Sequence, residues 1–185
     1  MIRVLSNIRN TVKGKILLTL AAVVGSVALP QIVHLIGAFS GMGTSLGELL
    51  LPMHFFVLLA GFLAGPAAGA VTGFTAPLIS ILLSGMPRAT VLPFMMIELL
   101  GYGLIAGLLS GTRMNNLFKL VIAQVGGRIL RAGAVVFSVY VLQSSAMPMA
   151  SISKTITSGL VGILLQICIL PLLLYRLKDL EKRDE

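Results

Sequence analysis

Of the 185 residues, 57% are hydrophobic and 11% charged, with a mean hydropathy of +1.02; a soluble domain carries about 25% charged residues, so water is excluded as the solvent of most of this chain. The formal net charge of +8 invites a nucleic-acid partner, but the basic residues sit at the ends of apolar blocks without a basic stripe interleaved with aromatics, which excludes that class. The single Cys168 lies inside the last apolar block, so no disulfide framework and no thiolate metal site can be built.

A helix needs ~20 apolar residues to cross the hydrocarbon layer. Six such blocks use up nearly the whole length and leave no room for a second domain. The first block is long and is followed by more of the same, unlike a secretory signal, so we expect an uncleaved multi-pass protein of a bacterial cytoplasmic membrane. The fold class expected is all-α, a six-transmembrane-helix bundle with both termini cytoplasmic.

Residues Met1 to Lys15 carry Arg3, Arg9, Lys13 and Lys15 without an acidic residue, and a span from about Ile16 to Ile36 follows. This is the positive-inside pattern, so the N-terminus is expected in the cytoplasm. Pro30 lies well inside that span and should bend its outer third, which carries Gln31 and His34. The Gly- and Ser-rich run Gly37 to Gly47 reads as an outer loop, either a connector or a lid.

The second span should run inward from about Glu48 to Ala64 and the third outward from Pro66 to Leu83, with Gly65 and Pro66 making the turn. Gly61, Gly65, Gly69 and Gly73 recur every four residues, as do Gly103, Gly107 and Gly111, a spacing that lets backbones approach closely. The outer loop SGMPRAT, with Arg88, leads to a fourth span from about Val91 to Leu109. Arg113 and Lys119 mark a cytoplasmic loop before the fifth span, about Leu117 to Leu142. After the outer loop QSSAMPMAS comes the sixth, about Ile152 to Tyr175, and the tail RLKDLEKRDE (residues 176–185) is a charged cytoplasmic end.

Ionisable groups inside a bilayer are costly, roughly 2.5–3.5 kcal/mol each on insertion scales, so each needs a partner or a purpose. Glu98, Arg128 and Arg131 stand out. At the helical rise, Glu98 lies ~10 Å, Arg131 ~16 Å and Arg128 ~21 Å below the outer ends of their spans. Gln124, Arg128 and Arg131 share one face of the fifth span, Glu98 and Tyr102 one face of the fourth. Gln166 on the sixth lies ~20 Å deep. These helices can therefore converge on a polar pocket open to the outside.

One carboxylate cannot neutralise two guanidinium groups. If Glu98 pairs with one arginine as an internal bridge, the other still seeks an anion, and its planar fork suits a carboxylate. His54, at the outer end of the second span, reads as an interfacial residue or a ligand contact, and Arg88 adds an outer cation to the candidate set. No HExxH-type metal pattern and no GxxxxGKS/T phosphate loop is present, so no cofactor is expected and any ATP hydrolysis must come from another chain.

The chain resembles the substrate-binding S components of energy-coupling factor (ECF) vitamin transporters. The resemblance rests on GELLLPMHFFVLLAGFLAGPAAGAVTGFTAPLISILLSGMPR, on IELLGYGLIAGLL and on GGRILRAG, in that order. It implies capture of a water-soluble vitamin or related micronutrient, in a pocket of the last three spans and the outer loops. It also implies a transmembrane coupling protein and two cytoplasmic ATPase subunits as partners, with release by toppling of the whole subunit in the bilayer.

In that family a small-residue face on the first helix, commonly AxxxA, contacts the coupling protein. The matching positions here are Ala21 and Gly25, with Ala22 and Ser26 beside them. A pantothenate-like carboxylate suits the arginine pair, while folate, pyridoxine-type and corrinoid substrates stay open. The alternatives are a scaffold subunit, whose intramembrane charges would all be internally paired, and a membrane enzyme using Glu98, which lacks a nucleophile or metal partner at usable spacing.

Overall fold

The structure, a computed structural model, describes residues 11–143 and 148–183. The basic segment before Thr11, residues 144–147 of the last outer loop, and Asp184 and Glu185 of the tail lie outside the described residues. In chain order the helices are α1 (Val12–Phe39), α2 (Ser45–Leu50), α3 (Pro52–Ala64), α4 (Pro66–Ser84), α5 (Leu92–Ser110), α6 (Asn116–Tyr140), α7 (Ala150–Ser158) and α8 (Leu160–Arg183). Among the described residues six stretches are long and apolar enough to cross a membrane, with α2 and α3 together forming one of them.

Local signals explain most of the boundaries. The Thr11 hydroxyl accepts from the Gly14 amide at 3.2 Å and the Asn115 side chain from the Leu117 amide at 3.0 Å, each satisfying a donor that a helix start leaves free. Pro52 and Pro66 open α3 and α4, where a missing N–H costs nothing. Gly65 makes the turn between them at φ 97, a conformation open to glycine and costly to other residues. Within α1, Pro30 is accommodated without a break in the helix.

Two expected spans are interrupted. The second, read as one helix from Glu48, breaks at Leu51, which adopts a left-handed conformation (φ 49, ψ 49) between α2 and α3. The ring of Pro52 pushes the preceding residue out of the right-handed helical region, and the left-handed state costs a non-glycine residue roughly 1–2 kcal/mol. The freed Leu51 carbonyl then accepts twice, from the His54 amide at 3.1 Å and from Gln166 Nε2 at 3.2 Å. The sixth expected span divides at Gly159 into α7 and α8.

The glycine stripes set how closely the wall packs. The turn at Gly65 divides the first stripe, leaving Gly61 on α3 and Gly69 and Gly73 on α4, yet all three face α5. A Cβ on Gly61 would come within 2.5 Å of the Gly103 carbonyl oxygen, and one on Gly69 or Gly73 would collide with the backbone of Gly103 or Leu99. Gly111, the last member of the second stripe, faces open space.

The small residues of α1 are used mostly inside the bundle. Ala22 and Ser26 are buried, and Gly25 lies under the Phe56 ring, which a Cβ would meet at 2.6 Å. Of the four positions matched to a coupling face, Ala21 alone is exposed. The others are occupied by intramolecular packing, while Leu17, Leu20 and Val24 on the same helix are exposed.

Lys119, read from the sequence as a loop marker, is buried in the first turn of α6. Its Nζ donates to the carbonyls of Ser110 at 3.1 Å and Thr112 at 2.8 Å, closing the C-terminal end of α5. Lys119→Met should cost about 1.5–3 kcal/mol, the range for hydrogen bonds to a charged group. The exposed Arg113 gives the control: Arg113→Met should change stability by less than about 0.5 kcal/mol. Equal melting temperatures for the two variants would contradict this cap.

Candidate functional site

The close approach of α6 to α5 begins with a missing side chain. A Cβ at Gly127 would collide with the Tyr102 ring and lie 2.8 Å from the Glu98 carbonyl oxygen. That proximity brings Arg131, one turn further along α6, onto the carboxylate of Glu98: Nη1 donates to Oε2 at 2.6 Å. Tyr102 donates its hydroxyl to the other oxygen, Oε1, at 3.2 Å. Glu98 is fully buried, while the Arg131 side chain keeps 12% exposure.

His54 arrives from the first turn of α3. It is buried, with its ring centroid 5.2 Å from that of Tyr102 at a tilt of 59°. Its Nε2 lies 3.8 Å from Glu98 Oε1, within reach of an ion pair but too far for a hydrogen bond, so both ring nitrogens stay without a hydrogen-bond partner. The ring is thus packed inside the bundle, between α3 and α5.

Arg128, one turn before Arg131, takes a different course. Its Nη1 donates to the Thr155 carbonyl of α7 at 2.9 Å, and its Nε and Nη2 are buried without any partner. Among the described residues no carboxylate pairs with it. Gly159 sits against the unpaired side, where an added Cβ would stand 2.9 Å from Nη2 and 2.7 Å from Leu51 Cδ1.

Below this cluster, Gln124 Nε2 donates to Gln166 Oε1 at 3.0 Å, and Gln166 passes the chain on to the Leu51 carbonyl. Both glutamines are buried, as a linked amide pair must be if neither is to lose hydrogen bonds to hydrocarbon. Glu98, Tyr102, Gln124, Arg128, Arg131, Gln166 and His54 are thus drawn into one region of the bundle. Arg88 is exposed in the connection before α5, where its carbonyl accepts from the amides of Val91 and Leu92.

Three contributors were missed from the sequence: Leu51, Thr155 and Gly159. Each acts through its backbone or through the lack of a side chain. The signal that could have found Leu51 was its position directly before Pro52.

Comparison with known families decides the wider context. The model of the family described as ECF transporter, substrate-specific component, matches residues 10–174. The chain belongs to this family. It is therefore an S component, a multi-pass membrane protein that provides the substrate-specific part of an ECF importer, and membership implies a small-molecule substrate and partnership with the coupling and ATPase subunits. Among curated proteins and solved structures, none matches the chain. As a transporter family it is not a family of enzymes.

Proposed function

We propose that this S component captures a small, water-soluble micronutrient carrying a negative group, a vitamin or close relative, from outside a bacterial cytoplasmic membrane. The observation that carries the reading is the buried, unpaired edge of Arg128. A guanidinium held in a bundle without a counter-ion is costly, and a ligand that supplies the missing anion recovers that cost. A scaffold subunit has no use for such a group, since its charges should cancel internally as those of Glu98 and Arg131 do.

On this reading the site faces outward. What supports this is that His54 and Glu98 lie in the first two turns of α3 and α5, whereas Lys13, Lys15, Arg113 and Lys119 lie at the opposite ends of the spans, which the positive-inside rule assigns to the cytoplasm. Both termini would then be cytoplasmic, and the ATPase subunits would couple to the basic end through the membrane partner. A pantothenate-like acid is the first candidate to try.

The direct test is thermal unfolding of the purified protein with a panel of water-soluble vitamins. A ligand present at 100 times its Kd adds about 2.7 kcal/mol to the folded state and raises the melting temperature. At least one vitamin should do so. A panel without any stabilising compound would favour the scaffold reading.

A further inference from the structure

The identity of the substrate can be narrowed from the arrangement of donors and the count of charges, an argument that rests on the capture reading above. We propose that the substrate is a monocarboxylate, held by the side-on edge of Arg128 and touched at a second polar point by His54.

A guanidinium offers its donors in a fixed plane, and Nε with Nη2 forms one of its two-pronged edges. In Arg128 the remaining nitrogen, Nη1, is committed to the Thr155 carbonyl at 2.9 Å, which fixes the plane of the group. The two nitrogens left without a partner are those of the side-on edge. Two parallel N–H groups at this spacing match the two oxygens of one carboxylate. A single hydroxyl or carbonyl satisfies only one of them and leaves the other buried and unmet.

The charge count sharpens the assignment. Arg131 is balanced by Glu98 at 2.6 Å, which leaves the positive charge of Arg128 without a carboxylate among the described residues. A monoanion cancels it. A neutral ligand leaves a desolvated cation, and a dianion such as a phosphate monoester brings an uncompensated negative charge into the same confined place.

The second contact follows from His54. Its two ring nitrogens are buried without a hydrogen bond, and its backbone amide is tied to Leu51, the residue whose side chain borders Gly159 and the free edge of Arg128. The amides of Gln124 and Gln166 are turned to each other and to the Leu51 carbonyl. The polar group of the ligand beyond its carboxylate therefore finds its partner in His54.

Binding to the protein in lipid nanodiscs, followed by calorimetry, tests this with a matched series of probes. The series comprises the single-carboxylate vitamins pantothenate, biotin and nicotinate, the primary amide of each, neutral pyridoxine, and pyridoxal phosphate. A monocarboxylate should bind tightest, and its amide about 100-fold more weakly or worse, as expected when one member of a buried charge pair is removed. Arg128→Gln should weaken the acid by a similar factor while shifting the amide by less than about threefold, since the two changes remove the same interaction.

Gly159→Ala gives an independent arm. Gly159 has φ −89, which alanine adopts freely, and the new methyl presses on the flexible ends of Leu51 and Arg128, so the fold is kept while the edge is displaced. The acid should weaken about tenfold, the scale of one lost charge-assisted bond. Tightest binding by pyridoxine or pyridoxal phosphate, or equal binding of an acid and its amide, would overturn the monocarboxylate assignment and leave substrate capture standing. Absence of binding by every probe to the unaltered protein would overturn the monocarboxylate assignment, and substrate capture itself falls if the full vitamin panel also finds no ligand.

Discussion

Gly103→Ala should prevent or severely weaken folding, although alanine is the better helix former by about 1 kcal/mol. The added Cβ collides with the carbonyl oxygen, carbonyl carbon and Cα of Gly69 on α4. Those are backbone atoms and cannot swing aside, so relief requires α4 and α5 to separate, and with them the contacts of Gly61, Gly73 and Gly107 along the same seam. The penalty should exceed the ~1–3 kcal/mol typical of overpacking with side chains. Gly111→Ala, one step beyond the seam in open space, should leave stability within about 0.5 kcal/mol. Size-exclusion profiles and melting curves of the two variants in detergent check this, and a well-folded Gly103→Ala protein would show that the helices are not locked by backbone contact.

Glu98→Gln should destabilise the protein by about 3–5 kcal/mol, the range for removing one partner of a buried ion pair. Glutamine keeps the shape and can still accept from Tyr102, but Arg131 loses its counter-charge one turn away from the already unbalanced Arg128. The 12% exposure of the Arg131 side chain lets water offset part of the loss, which puts the expected value at the lower end of the range. Adding Arg131→Met should restore most of the stability, because replacing both charges by groups of similar volume is often neutral or favourable. A double variant no more stable than Glu98→Gln alone would show that Glu98 is not held by Arg131.

The number and order of the spans were legible because a bilayer tolerates so few charges: the long gap between Glu48 and Arg88 and the isolation of Glu98 mark the hydrocarbon layer directly. The face shared by Gln124, Arg128 and Arg131 was legible too, since helical spacing alone brings them together. Which arginine meets Glu98 was not. The two lie three residues apart, and the choice depends on how α6 is rotated and how near Gly127 lets it come to Tyr102, a distance that no pattern on a single helix encodes. The break at Leu51 and the division at Gly159 escaped for a related reason, because hydropathy runs unbroken through both while the backbone does not. Lys119 was misplaced because a charged residue beside a loop is ordinarily solvated, whereas here the carbonyls at the end of α5 replace the water.

The bundle is unevenly knit. In α8, 22% of the spanning stretch is buried against its neighbours, half the 44% of α5, and its polar tie to the rest runs from Gln166 to Gln124 and the Leu51 carbonyl. The glycine-packed helices thus make a stiff slab and α8 its most loosely leaned plank, with α1 and α6 at 28% little more buried, and the orphaned guanidinium edge lies at the joint between α6 and the α7–α8 break. Amide exchange in α8 would report local opening well below the energy of global unfolding, and whatever occupies that joint would act as a dowel, making the plank and the slab unfold as one.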